Sequence, residues 1–219
     1  MKRLYISLLL VFSLFCTHHA SAQRSIEFGY GKQIFKSSNG LGYIPELKGM
    51  NYNGGYLAFK YMMPLRKTPD YPLAVQIGVK YDFQIGKSSE VRGIHTEHYV
   101  ELPVLMHFIV KDNESDLTLR FFVGPAFDYN LSSRLKIESS LAKPTVITTL
   151  QEKYGYTDID VKACVGVAFN LTDYVEIRAT YNFGLSNRRG MIDHEYHTPT
   201  SKLYRLNSDI LNIGFVYYL

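Results

Sequence analysis

The sequence predicts an all-β fold: an eight-stranded antiparallel up-and-down transmembrane β-barrel with short periplasmic turns and long extracellular loops. Three observations predict it. Eight runs alternate apolar and polar residues with a period of two, the mark of a strand with two chemically different faces. The links between these runs are short and long in strict alternation. Aromatic residues of the apolar faces gather in two bands near the run ends.

The runs follow in order. SIEFGYGKQI (25–34) alternates through Ile26, Phe28 and Tyr30, and GGYLAFKYMMPL (54–65) through Leu57, Phe59, Tyr61 and Met63. LAVQIGVKYDFQIG (73–86) sets Leu73, Val75, Ile77, Val79, Tyr81, Phe83 and Ile85 against Ala74, Gln76, Gly78, Lys80, Asp82 and Gln84. YVELPVLMHFIVK (99–111) sets Val100, Leu102, Val104, Met106 and Phe108 against Glu101, Leu105 and His107. LTLRFFVGPAFDYNL (117–131) carries Arg120, Gly124, Ala126, Asp128 and Asn130 on its minor face. IDVKACVGVAFNL (159–171) carries Asp160, Lys162, Cys164, Gly166 and Ala168 there. YVEIRATYNFGL (174–185) places Glu176 and Arg178 on one face, two residues apart. ILNIGFVYYL (210–219) alternates through Leu211, Ile213, Phe215, Tyr217 and Leu219. Pro103 and Pro125 each remove a ladder donor in mid-run, so bulges are expected there.

RKTPDYP (66–72), DNESD (112–116) and Thr172-Asp173 are hairpin-length links. The remaining links, roughly 35–53, 87–98, 132–158 and 186–208, are long. That is the layout of an outer-membrane barrel with both termini on the periplasmic side. Aromatic placement separates it from a soluble barrel with an apolar interior. Tyr81, Phe83, Phe127, Tyr129, Tyr181 and Phe183 fall at the external end; Phe59, Tyr61, Phe108, Phe169, Phe215 and Tyr217 fall at the periplasmic end. Two girdles at two membrane interfaces account for this banding. The small residues of the polar face suit a narrow lumen packed with side chains.

The chain begins with Lys2 and Arg3, then the apolar LYISLLLVFSLF (4–15), then Ala20-Ser21-Ala22. This reads as a signal peptide over 1–22, cleaved before a barrel domain over 23–219. Bulky Phe15 before Cys16 argues against a lipoprotein. Only Cys164 remains in the mature chain, which excludes an intramolecular disulfide. Loss of Lys2 and Arg3 from 24 basic residues, against 20 acidic ones, leaves a net charge of about +2. That balance does not point to nucleic acid.

Charged side chains in a lumen this narrow must pair, because an isolated buried charge costs several kcal/mol. The expected network comprises Glu101, Glu176, Arg120, Arg178, Lys162, Lys80, Asp82 and His107, with Glu27, Lys60, Asp128 and Asp160 as further lumen residues. Its expected role is to plug the barrel; the alternative is a narrow ion or small-solute path. HTEH supplies His95, Glu97 and His98, and HEYH supplies His194, Glu195 and His197; both are placed in external loops. If those loops converge, imidazole and carboxylate suit a transition metal. No cofactor is otherwise expected. A membrane-embedded hydrolase is a weaker alternative, because no Ser lies beside His107 in its run and nothing fixes the loop histidines. RLKIES and PTVITTL keep their alternation beyond the membrane, so a projecting ribbon with an open edge could recruit another protein.

YVELPVLMHFIV, FFVGPAFDYNL, VGVAFNL and LNIGFVYYL resemble segments of the PorT-like outer-membrane β-barrel family of Bacteroidetes-type bacteria. The resemblance covers nearly the whole mature chain, and both mid-run prolines fall where that family commonly has them. It implies an eight-stranded barrel similar to OmpA and OmpX. It implies little about activity: PorT is linked to type IX secretion, while most relatives have no known role. The chain ends in Leu219 rather than Phe, yet its last strand still resembles a barrel-assembly signal. Expected partners are outer-membrane lipid and lipopolysaccharide, the barrel-assembly machinery and an extracellular protein. The expected state is a monomer.

Overall fold

The computed structural model describes residues 23–37, 50–66, 72–88, 93–111, 117–137, 146–149, 157–188 and 206–219. The signal-peptide reading of 1–22 therefore lies outside the described residues. Among the described residues there are nine strands: β1 (Gln23–Ser37), β2 (Asn51–Arg66), β3 (Leu73–Ser88), β4 (Gly93–Lys111), β5 (Thr118–Ile137), β6 (Val146–Thr149), β7 (Ile159–Asn170), β8 (Val175–Gly184) and β9 (Leu206–Tyr218). Eight of them close a ring in the order β1-β2-β3-β4-β5-β7-β8-β9, and every pairing is antiparallel. The seam joins β1 to β9 from Ser25 opposite Tyr218 to Ser37 opposite Leu206. The ninth strand, β6, stands outside the ring and pairs with Arg134 to Ile137 of β5.

The two faces of every barrel strand differ as the alternation demands. Phe28, Leu57, Phe59, Tyr81, Phe108, Phe121, Phe127, Tyr129, Phe183, Phe215 and Tyr217 all stand on the exposed exterior. So large a continuous apolar surface is unsuited to water. The polar face turns inward, and its carboxylates, lysines and arginines are buried. Glycines make room where the lumen holds a large ring. A Cβ on Gly166 would run into the Phe122 ring, and one on Gly214 would meet the Tyr56 hydroxyl.

Three expectations need correction. The ladder does not bulge at Pro103 or Pro125. Pairs drop out between Ile77–Val104 and Lys80–Glu101, and between Pro103–Ala126 and Met106–Val123, then resume in unchanged register. The missing donors cost local bonds but need no inserted residue. Irregularities fall instead at Pro64/Arg66 and at His98/Tyr99, where Leu131 is the extra residue opposite. Second, 87–98 is not a long loop. β3 runs to Ser88 and β4 starts at Gly93, so only 89–92 joins them. Third, β5 continues to Ile137 and β9 begins at Leu206, so one end of the barrel stands taller than the apolar runs alone suggested.

Candidate functional site: a lumen of three ion clusters

The lumen is the chemically loaded part of the molecule. Its contents sort into three clusters along the axis. The first lies nearer the end that carries the termini and short turns. Glu176 and Arg178 are neighbours on the inward face of β8, and Arg178 grips the Glu176 Oε1 through Nε at 3.2 Å and Nη2 at 3.0 Å. Arg178 Nη1 also reaches Gln76 Oε1 at 2.9 Å and Glu27 Oε2 at 3.1 Å. Lys60 pairs with Glu27, and the Tyr56 hydroxyl donates to the same carboxylate at 2.8 Å. Arg120 pairs with Glu176 Oε2, to which the Tyr218 hydroxyl also donates at 2.7 Å. The two guanidinium groups lie over rings, Arg178 at 4.8 Å from the Phe122 centroid and Arg120 at 5.0 Å from that of Tyr218. Each buried charge thus meets an opposite charge, and the carboxylates and guanidinium groups gain further donors or a ring, which offsets the loss of water.

The second cluster sits at mid-barrel. Lys80 Nζ lies 3.0 Å from Glu101 Oε2 and 3.3 Å from Asp82 Oδ2. Asn182 donates to Glu101 at 3.0 Å, and Gln84 donates to Asp82 at 2.7 Å. Lys162 pairs with Asp128 and lies over the Tyr99 ring. The single expected network around Glu101 and Glu176 is therefore two. Glu176, Arg178 and Arg120 belong to the first cluster; Glu101, Lys80, Asp82 and Lys162 belong to the second. His107 joins neither by an ion pair. It faces Gln76 Oε1 at 3.3 Å and stacks on Phe122 at 5.0 Å. Cys164 is buried among Leu105, Phe122, Ala126 and Ala168.

The third cluster closes the opposite end, and sequence reasoning missed its centre. Arg188 follows β8 in a non-strand segment, yet its side chain is only 1% exposed. Backbone bonds hold that segment across the end of the barrel: Arg188 N donates to Leu206 O, and Thr157 N donates to Arg188 O. The guanidinium points inward to Glu97 Oε2 at 3.3 Å and Asp160 Oδ2 at 3.7 Å. Tyr99 and Phe35 flank it at 4.9 and 5.5 Å. Glu97 also accepts from Gln33 at 2.9 Å. His95 bridges the Tyr52 hydroxyl and Ser133 Oγ, each at 2.7 Å.

These contacts overturn the reading of HTEH as loop ligands. The period of two continues through it, so His95 and Glu97 point into the lumen. His98 points outward, against the Tyr81 hydroxyl at 2.6 Å and beside Phe83. Strand geometry thus divides the three residues between opposite faces. His194, Glu195 and His197 lie outside the described residues. Among the described residues, no three His, Cys, Asp or Glu side chains are grouped to hold a metal.

The model of the family described as outer membrane protein beta-barrel domain matches residues 3–188. The chain belongs to that family. It is an outer-membrane β-barrel protein, and its apolar exterior is accordingly the lipid-facing surface. Solved structures similar to this barrel include a major outer membrane protein from Thermus thermophilus, with 12% identity, 92% of this chain and 100% of that chain covered, and a TM-score of 0.47. Ail, the attachment invasion locus protein of Yersinia pestis, has 14% identity, 90% and 99% coverage, and a TM-score of 0.44. Neisserial surface protein A has 12% identity, 90% and 98% coverage, and a TM-score of 0.44. No curated protein matches the chain.

Proposed function

We propose that this barrel is a closed-lumen, non-catalytic outer-membrane protein that acts by holding up an interaction surface at its long-loop end. The observation that carries the reading is the filling of the lumen by three successive ion clusters, the last anchored by Arg188. A barrel of eight strands has little interior left once such side chains are seated. The termini share one end with the links 67–72, 112–117 and 171–174, while 89–92 lies at the other, and this supports a periplasmic placement of both termini. The exterior suits a monomer in outer-membrane lipid and lipopolysaccharide. The C-terminal strand β9 is the segment offered to the barrel-assembly machinery. A secretion-associated role of the PorT-like kind is consistent with the resemblance in the strands.

The interaction surface is the β4–β5–β6 wall. Among the described residues β6 forms a ladder with β5 alone, and an extracellular protein would join the wall by strand addition along β6. A photo-crosslinker at Thr149 is expected to capture a protein on intact cells, whereas one at lipid-facing Val165 is not. Deleting residues 140–153 is expected to spare barrel folding, read as heat-modifiable gel migration, and to abolish capture. Equal capture from both positions would contradict the surface assignment.

A further inference from the structure

The charges of the lumen do not balance cluster by cluster. At the turn end, Lys60, Arg120 and Arg178 are held by two carboxylates, Glu27 and Glu176. At mid-barrel the imbalance is reversed: Asp82, Glu101 and Asp128 are answered by Lys80 and Lys162. The ladder sharpens this. Glu101 stands opposite Asp128, and Asp128 opposite Asp160, so carboxylates occupy adjacent inward positions on β4, β5 and β7. Like charges directly opposite are destabilising, and more so away from water. The turn-end cations do not relieve them, because their ion pairs run to Glu27 and Glu176.

The polar atoms left without a hydrogen-bond partner carry the same signature. At the turn end they include two donors, Gln76 Nε2 and Arg120 Nε. At mid-barrel they include four acceptors, Gln84 Oε1, Asp128 Oδ1, Asn182 Oδ1 and Asn212 Oδ1, all on buried residues. Two of these oxygens are held at the carboxylates by their own amides. Asn182 Nδ2 donates to Glu101 and Gln84 Nε2 donates to Asp82, which leaves each amide oxygen beside the carboxylate that its nitrogen binds. Asn212 Oδ1 approaches the Gln84 amide over Gly31, where a Cβ would lie 2.7 Å from each. Buried acceptors without a donor are costly, and a native fold keeps few of them unanswered.

We propose that the mid-barrel cluster binds one monovalent alkali cation, Na+ or K+. The one carboxylate in excess of the lysines supplies the matching charge. Asp128 and the amide oxygens of Gln84, Asn182 and Asn212 supply hard oxygen donors of the kind that replaces such an ion's hydration shell. The same donor set does not suit a divalent or transition metal: among the described residues no three His, Cys, Asp or Glu side chains are grouped to hold one. The ion is structural. It completes the charge filling of the lumen that the lysines leave one unit short.

The test uses the folded full-length mature chain in neutral detergent. Urea unfolding is followed in sodium, potassium and choline chloride, mixed at constant ionic strength; choline carries the same charge but is too large for a packed lumen. A cation bound by the folded barrel alone makes the folding equilibrium constant rise with sodium or potassium, by about tenfold for each tenfold in concentration above the dissociation constant. Asp82→Asn removes the excess carboxylate while leaving Lys80 with Glu101 and Lys162 with Asp128. It is expected to keep heat-modifiable migration and to lose the dependence. Asn182→Ala, which removes one oxygen donor and no charge, is expected to move its onset to higher concentration. Lys32→Gln, on the exterior, is expected to leave it unchanged. Equal stability of the native barrel in the three salts overturns the proposal, and is the outcome if water or a proton answers the acceptors. A dependence that survives intact in both Asp82→Asn and Asn182→Ala also overturns it.

Discussion

The two ends of the lumen solve the same electrostatic problem with different materials. At the turn end, Glu27, Lys60, Arg120, Glu176 and Arg178 all sit on barrel strands, each fixed by ladder bonds on both sides. At the loop end, Glu97 and Asp160 are strand residues, but the cation between them comes from the segment after β8. A strand-held charge cannot leave the lumen without opening the barrel. A segment-held charge is tied by a few backbone bonds and can be lost with the wall intact. The turn-end cluster should therefore bear on global stability, and the loop-end cluster on the local order of the barrel mouth.

The largest expected effect follows from removing the carboxylate shared by two arginines. Glu176→Ala leaves Arg178 with Glu27 alone and Arg120 with no carboxylate, at a cost of about 3–5 kcal/mol. Urea unfolding in micelles reads this, and adding Arg120→Met should recover part of the loss by removing the stranded charge. A smaller loss is expected when the turn-end packing is crowded without touching a charge. Gly166→Val forces the Phe122 ring aside and should cost about 1–3 kcal/mol. At the loop end, Arg188→Ala should cost about 1–2 kcal/mol, with faster proteolysis near the mouth and an unchanged unfolding transition for the wall. A global loss as large as that of Glu176→Ala would erase the distinction between the ends. The smallest effect belongs to the exterior: Lys36→Ala breaks a pair whose lysine side chain is 57% exposed, and should leave the urea midpoint essentially unchanged.

The same contrast explains how much was legible in the sequence. The eight barrel strands, their inward and outward faces, and the twelve charged or imidazole-bearing lumen residues from Glu27 to Arg178 follow from a period of two. Strand geometry converts that period into sidedness without help from tertiary contacts. HTEH misled because its outward residues are no longer apolar. Over Thr96, Glu97 and His98 both faces are polar, so alternation persists in the backbone but loses its hydrophobic label. Tyr99 and the inward direction of His95 and Glu97 could have continued the register of Glu101. Arg188 had no such signal. It lies beyond the last alternating residue of β8, and tertiary bonds such as those from Arg188 to Leu206 and from Thr157 to Arg188 bring it over the lumen. The resemblance in the strands correctly implied an outer-membrane barrel; its narrower PorT-like reading remains part of the functional proposal.

The central claim is that charge pairs fill this lumen rather than line a pore, and conductance tests it most directly. Purified, heat-modifiable barrel in a planar lipid bilayer is predicted to give no steady current steps, for the native chain and for Lys36→Ala alike. Steady ohmic steps from the native barrel would contradict the account.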